Sequence, residues 1–308
     1  MTGLQVVGLG LSTIDVLSRL EVMPTWEKGT FLKQIVTDGG GPVGTALVAA
    51  ARLGARVGYV GVCGNDESAD LKLRYLTRDG VDITRVIHRP HPETQVVLVF
   101  VHQTTGERVF GLTAMEEDPL KPEELDREYI TSAAYLHLDG YHCQAALQAA
   151  RWMHQAGKKV VMDAAKAAGD VCKAVDELVE ATDILICGSG FVQAFTGVTD
   201  FWQAAAAVRR MGPQIVVQTE GENGSNTATA TEQFHTSAYT VDVVDTTGAG
   251  DVFHGAYLFG LVQGWNLTRT AEFASATAAL KCRHLGGRAG TPRYNEVQEF
   301  LLRQGTHS

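Results

Sequence analysis

The sequence predicts an α/β fold: a three-layer, doubly wound, mostly parallel sheet with a small β-sheet lid. Three observations carry that expectation. The second half alternates short apolar strands with helical segments joined by short connections, the pattern of a parallel sheet covered on both faces. Strand candidates at 30–36 and 95–112 break the alternation and read as a separate sheet that would close over a site. The chain of 308 residues is 45% hydrophobic and 20% charged, which suits a large packed core and not a disordered, collagen-like or coiled-coil chain. The expected organisation is a single domain over 1–308, with lid strands from about 12–38 and 88–115.

The elements follow in order. Gln5–Gly10 is an apolar strand ending in glycine, and Thr30–Val36 is a short strand. A triple glycine, Gly39-Gly40-Gly41, and Pro42 precede the Ala-rich helix Thr45–Leu53. Arg56–Val62 is an apolar strand, and Glu67–Asp79 is a helix capped by Gly80. Gln95–His102 and Glu107–Leu112 flank a hairpin turn at Gln103-Thr104-Thr105-Gly106. Then come strand Tyr135–Leu138, helix Cys143–Gln155, strand Lys159–Asp163, helix Ala174–Ala181, strand Ile184–Cys187, helix Phe201–Met211 and strand Ile215–Gln218. Two short strands lead to a further apolar strand at Val241–Val244. Helices Ala249–Gln263, Thr270–Cys282 and Pro292–Arg303 close the chain.

A formal charge of −9 argues against nucleic-acid or anionic-membrane partners, while leaving room for a local anion site. No apolar run is long enough to span a bilayer, and the N-terminal segment reads as a core strand and not a signal peptide. Five cysteines, none in a CxxC, read as buried thiols of a cytoplasmic protein. His137, His142, His235 and His254 have no paired metal spacing; His254 reads as packing, and His142 with Tyr141 as lying near the sheet's ligand edge.

Glycine is the compositional surplus, 33 residues, and its positions matter most. Gly8-x-Gly10 lacks the third glycine of a dinucleotide fingerprint. The turn from Gly39 to Gly44-Thr45 has the outline of a P-loop without its lysine, which leaves a glycine-rich turn where backbone can approach a ligand. Gly221-Glu222-Asn223-Gly224 sits at a strand's C-terminal end, where open α/β sheets bind ligands. Asp245-Thr246-Thr247-Gly248-Ala249-Gly250-Asp251 runs into a helix, so the amides of Gly248, Ala249 and Gly250 are placed to receive an anion. Asp251 would then stand beside that anion. Two readings are open: a general base for an attacking hydroxyl, or a stabiliser of the first helical turn.

At this stretch the sequence resembles the PfkB, or ribokinase-like, carbohydrate kinase family, and the resemblance covers nearly the whole chain. It is carried by Gly39-Gly40-Gly41-Pro42 running into Ala49–Ala55, by Asp245–Asp251 with Phe253 and Gly255, by Thr219-Glu220-Gly221-Glu222-Asn223-Gly224, and by the final loop Gly286–Pro292. The resemblance implies ATP-dependent transfer of the γ-phosphoryl group to a sugar hydroxyl, the sugar being of the ribose, fructose or keto-deoxy sugar acid class. It makes Asp251 the base, and Gly248, Ala249 and Gly250 the anion hole. Asp15, Gly40, Gly41 and Thr45 become substrate residues, Thr45 standing where the family has Asn. Thr219, Gly221, Gly224, Lys166 and Gly287 become nucleotide residues. Mg²⁺ is implied with ATP, K⁺ is a candidate near Asp245, Thr247 and the 286–291 loop, and a homodimer through the lid is expected. The chain departs from the family's NxxE motif, with Gly188 and Phe191 at those positions. The competing readings are a nicotinamide oxidoreductase resting on Gly8-x-Gly10, a nucleoside kinase of this fold, and a catalytically silent sugar-binding member.

Overall fold

The computed structural model describes residues 3–93, 95–112, 118–165, 172 and 174–305. Along the first part of the chain lie β1 (Val6–Leu9), β2 (Thr13–Leu20), β3 (Gln34–Gly40), α1 (Pro42–Leu53), β4 (Val57–Cys63), α2 (Glu67–Arg78), β5 (Asp82–His88), β6 (Val96–His102) and β7 (Arg108–Leu112). Next come α3 (Arg127–Ser132), β8 (Tyr135–Leu138), α4 (Cys143–Gln155), β9 (Lys159–Ala164), α5 (Val175–Glu180), β10 (Ile184–Gly188), α6 (Phe191–Thr196), α7 (Phe201–Arg209) and β11 (Ile215–Thr219). The chain ends with β12 (Ser225–Ala228), β13 (Gln233–Thr236), α8 (Ala249–Val262), α9 (Leu267–Lys281) and α10 (Tyr294–Arg303).

Nine strands form the main sheet in the order β13-β12-β11-β10-β9-β8-β1-β4-β5. Only β12 and β13 join it antiparallel. Side chains alternate between two buried faces. Leu136, Val160, Leu185 and Val216 pack into a core with α4 and α7, while Val6, Val161, Ile186 and Val217 pack into another with α1, α8 and α9. That is the doubly wound, three-layer arrangement expected from the alternation of strands and helices. Local chemistry sets the helix ends. α1 has Pro42 in its first turn and stops at Gly54, whose φ of 113° is open to glycine. α2 is capped by the Asp66 carboxylate, which accepts from Ala69 N at 2.9 Å.

A second sheet of four strands, in the order β3-β2-β6-β7, stands apart from the first. Its register gives it two unlike faces. Asp15, Asp38, Leu17, Val99 and Arg108 share the face turned inward, and Val16, Ile35, Leu98, Phe100 and Val109 share the outer one.

Several expectations need correction. β5 lies where no strand was read, and β2 falls within the expected lid range 12–38 without having been delimited; in β2 Asp15 and Ser18 are buried along with the apolar residues, so no polar-out alternation is visible. The strand expected at 30–36 sits at Gln34–Gly40, because its pairing with β2 fixes the register. Val241–Val244 is not a strand. It docks on the end of α9, with Val244 N donating to Cys282 O at 2.8 Å. Nor are all five cysteines free thiols: Cys143 and Cys172 form a disulfide, while Cys63, Cys187 and Cys282 stay free and buried. Pairing follows spatial approach, here a Cα–Cα distance of 5.4 Å, which sequence spacing does not reveal. Among the described residues no helix is long and apolar enough to cross a membrane.

α1 packs closely on α8. A side chain on Gly255 would run into the carbonyl oxygen of Ala46 and the methyl of Ala49. Gly255→Val is therefore expected to destabilise the fold by about 3 kcal/mol, since overpacking outweighs the gain in helix propensity. Thermal unfolding should show a midpoint lowered by several degrees; an unchanged midpoint would mean the two helices can part freely.

Candidate active site

The C-terminal ends of the parallel strands meet the inner face of the second sheet, and carboxylates gather there. Asp15 comes from β2, Asp139 follows β8, Asp163 stands near the end of β9, and Asp251 lies in the first turn of α8. Burial lifts all four above the ordinary carboxylate range, Asp15 to about 6 and Asp139 to about 7. Asp251 and Asp163 are both raised, chiefly by burial, and Asp251 further by the charge on Asp163. The four also feel one another: Asp251 acts on Asp15 and on Asp139.

The loop before α8 is held from below. Asp245, with no exposed surface, accepts Thr247 N at 2.8 Å, Thr247 Oγ1 at 2.6 Å and Gly286 N at 2.9 Å. Gly248 has a φ of 73° and packs against the backbone of Gly287 so closely that no side chain fits. Its turn delivers α8 with its N-terminus facing the site, and Asp251 in the first turn. Of the three amides expected to receive an anion, that of Ala249 also closes the turn, donating to Thr246 O at 3.2 Å.

Arg288 organises the other side. Its side chain has no exposed surface. Nε donates to Thr45 Oγ1 at 3.2 Å, and Nη2 donates to Ser12 Oγ at 3.0 Å and to the carbonyl of Gly40. Its backbone N donates to Asp38 Oδ2 at 2.8 Å. The guanidinium lies directly on the Cα atoms of Gly39 and Gly44, and the Asp15 carboxylate lies on that of Gly40, so each position excludes a side chain. Thr45 is thus buried and turned to Arg288, and it positions the glycine turn. Asp15 accepts Thr13 Oγ1 at 2.5 Å, and Asp139 accepts Leu11 N at 2.7 Å and Tyr141 N at 3.0 Å.

Farther along the sheet edge, Thr219 ends β11, and Gly221 and Gly224 take positive φ values of 57° and 87°. Gly188 ends β10 and Phe191 is buried in the core, so neither offers a polar group. A carboxylate stands beside them nevertheless. Glu220 accepts Ser189 Oγ at 2.5 Å and Gln218 Nε2 at 2.6 Å. Lys166 lies outside the described residues. His254 is buried with its Nδ1 3.6 Å from Asp163, and burial lowers its pKa to about 3, so it is neutral. His142 is also buried, its Nδ1 facing Leu120 N at 3.3 Å.

The structure brings Asp15, Gly40, Gly41, Thr45, Asp251 and Gly287 to one place, with Gly248–Gly250 beside them. Sequence reading missed Arg288, Asp139, Arg108 and Lys281. Arg108 reaches from β7 to Thr246, with Nη1 to Oγ1 at 2.6 Å, and joins the second sheet to the loop before α8. The loop carrying Arg288 was singled out for its glycines, but no spacing tells which way an arginine side chain turns.

Comparison with known proteins agrees with this geometry. The model of the pfkB family of carbohydrate kinases matches residues 6–293. An ATP-dependent ribose-1-phosphate kinase of Halopiger xanaduensis is 27% identical, over 96% of this chain and 98% of its own. A 5-dehydro-2-deoxygluconokinase of Shouchella clausii is 27% identical, over 97% and 96%. Among solved structures, a provisionally assigned ribokinase II of Escherichia coli in complex with ATP and Mg²⁺ superposes with a TM-score of 0.85 at 25% identity, over 97% of this chain and 99% of that one. A family match across nearly the full length, on a fold with carboxylates and a helix N-terminus at its strand ends, leads to one assignment: the chain belongs to the pfkB family of carbohydrate kinases.

Proposed function

We propose that the protein transfers the γ-phosphoryl group of ATP to a hydroxyl of a small sugar, with Asp251 as the general base. One observation carries the reading: Asp251 lies in the first turn of α8, beside the amides of a helix N-terminus, with a raised pKa. The acceptor is of the ribose, fructose or keto-deoxy sugar acid class, and the names of the relatives support a sugar or sugar derivative. The nicotinamide reading fails on Gly10, which makes room for the Asp139 carboxylate, a poor neighbour for a pyrophosphate.

In this mechanism Asp15 and the turn at Gly40 and Gly41 hold the sugar. The second sheet acts as the lid and excludes water, the competing acceptor. ATP lies along Thr219, Gly221 and Gly224, with its terminal phosphate toward Gly287 and the amides at Gly248–Gly250. The sugar oxygen bonds to the γ-phosphorus, the bond to the β–γ bridging oxygen breaks, ADP leaves, and the hydroxyl proton passes to the Asp251 carboxylate. Among the described residues no three His, Cys, Asp or Glu side chains are grouped to cage a metal. Mg²⁺ suits the site as a partner of the triphosphate, because the raised carboxylates Asp163 and Asp251 are groups a divalent cation would favour in ionised form. When bound it neutralises the phosphate oxygens. A kinase consuming ATP in this way belongs in the cytoplasm.

The lid also offers a contact for a second copy of the chain. Ile35, Leu98 and Val109 lie exposed on its outer face, which register makes apolar. A homodimer covering that face is expected in sedimentation experiments, and Leu98→Glu should shift it to monomer; a monomeric unmodified protein would remove the dimer reading.

Asp251→Asn should keep the fold and lower kcat on the order of 10²-fold or more. Near-normal turnover in the folded variant would sink the assignment. The base works only when ionised, and its pKa is raised, so activity is lost as pH falls. The acid limb of kcat/KM should begin near neutrality and drop about tenfold per pH unit. A profile flat down to about pH 5 would place the base elsewhere.

A further inference from the structure

The family resemblance raises a K⁺ ion near Asp245, Thr247 and the 286–291 loop, and the residues present do not fit one. Asp245 is fully buried and each of its oxygens is engaged. Oδ1 accepts from Thr247 N and Oγ1, and Oδ2 accepts from Gly286 N. The main-chain oxygen accepts from Lys281 Nζ at 3.0 Å, and that ammonium stands 3.9 Å from Oδ2. Lys281 occupies the last turn of α9 and has no exposed surface. A K⁺ ion sharing Asp245 would sit a few ångströms from a second positive charge, without solvent to screen the two.

We propose that Lys281 is a tethered replacement for the monovalent cation, so that this kinase needs no K⁺. The ammonium does what a bound ion would do there. It answers the buried charge of Asp245, and through Asp245 it links the loop before α8 to the loop carrying Gly286, Gly287 and Arg288. Its charge also reaches Asp251, which it favours in ionised form. A side chain fixed to α9 is present at full occupancy, whereas a free ion binds according to its concentration.

The activity arm of the test rests on the kinase reading, and the unfolding arm does not. In the first arm, the unmodified protein is unfolded by heat without nucleotide, in KCl and in tetramethylammonium chloride at equal ionic strength. The same midpoint is expected in both; a rise specific to K⁺ overturns the proposal. In the second, the protein with Mg–ATP and an accepted sugar should turn over equally fast in both salts, and activation by K⁺ overturns the proposal. Lys281→Ala should lose activity on the order of tenfold or more in tetramethylammonium chloride. KCl should restore much of that loss and raise the variant's unfolding midpoint. A folded variant that KCl does not restore gives Lys281 a merely structural role and also overturns the proposal. If Lys281→Ala does not fold, the two salts compared on the unmodified protein decide. If no sugar is phosphorylated in either salt, the kinase reading fails while the unfolding arm still decides the cation.

Discussion

Negative charge buried at the strand ends is the constraint around which the site is built. Asp15, Asp139, Asp163 and Asp251 lie close enough to influence one another, in a chain whose net charge is already −9. An ion taken out of water without partners costs several kcal/mol. Three of the four are answered locally, and Asp163 is raised by burial alone. Backbone N–H groups serve Asp139, a hydroxyl serves Asp15, and the buried cations Arg288 and Lys281 draw Asp251 toward its ionised form. Arg288 does this by joining segments far apart in sequence: Ser12, the turn at Gly39–Gly44, Thr45 and Asp38. Gly39, Gly40 and Gly44 have no room for side chains because a guanidinium and a carboxylate lie against their backbone.

That compensation is incomplete, which matters for the chemistry. Arg288 Nη1 has no hydrogen-bond partner among the described residues, and four carboxylates remain above their ordinary range. Without substrate, such a site holds protons that a divalent cation would displace. On the kinase reading, Asp163 and Asp251 would hold a divalent cation beside the triphosphate, and its charge would favour the ionised Asp251 that accepts the hydroxyl proton. The helix dipole of α8 works in the same direction, since a positive helix end beside Asp251 favours its ionised form.

Much of the main sheet was legible because its strands are short, apolar on both faces and separated by helices; Tyr135–Leu138 and Cys143–Gln155 match the structure residue for residue. The second sheet was half legible. β6 and β7 advertise themselves by a hairpin turn, but β2 buries Asp15 and Ser18 beside its apolar residues, so its polar positions imitate a turn. Val241–Val244 failed for the opposite reason: apolar residues that pack on the end of α9 have the composition of a strand and none of its pairing. In the site, the loop residues stood out because clustered glycines at strand ends and helix starts mark close approach of backbone, whereas Asp251 alone could equally have been a helix-start aspartate like Asp66. The buried cations were not. Arg288 and Lys281 act through the direction of a long side chain, and no local pattern encodes that direction. The same holds for Cys143 and Cys172, whose approach in space no sequence spacing encodes.

Register explains how one small sheet serves two purposes. Residues of a strand alternate between faces, so placing Asp15 on the inner face of β2 puts Leu17 there as well and turns Val16 outward. Pairing carries the choice across the sheet: Asp38 opposes Asp15, and Val101 opposes both Arg19 and Arg108. The inner face thereby acquires two carboxylates near the glycine turn and an arginine that touches Thr246, whereas the outer face is left apolar at Ile35, Leu98 and Val109. A slip of one residue in β2 would exchange its faces and turn Asp15 away from the site. On the proposed reading, an outer face covered by a second copy and an inner face closed over a sugar would place opposite demands on the same strands, and only one register would meet both. Arg108 ties that register to the loop before α8, because its hydrogen bond to Thr246 requires the sheet to lie over the residues leading to Asp251.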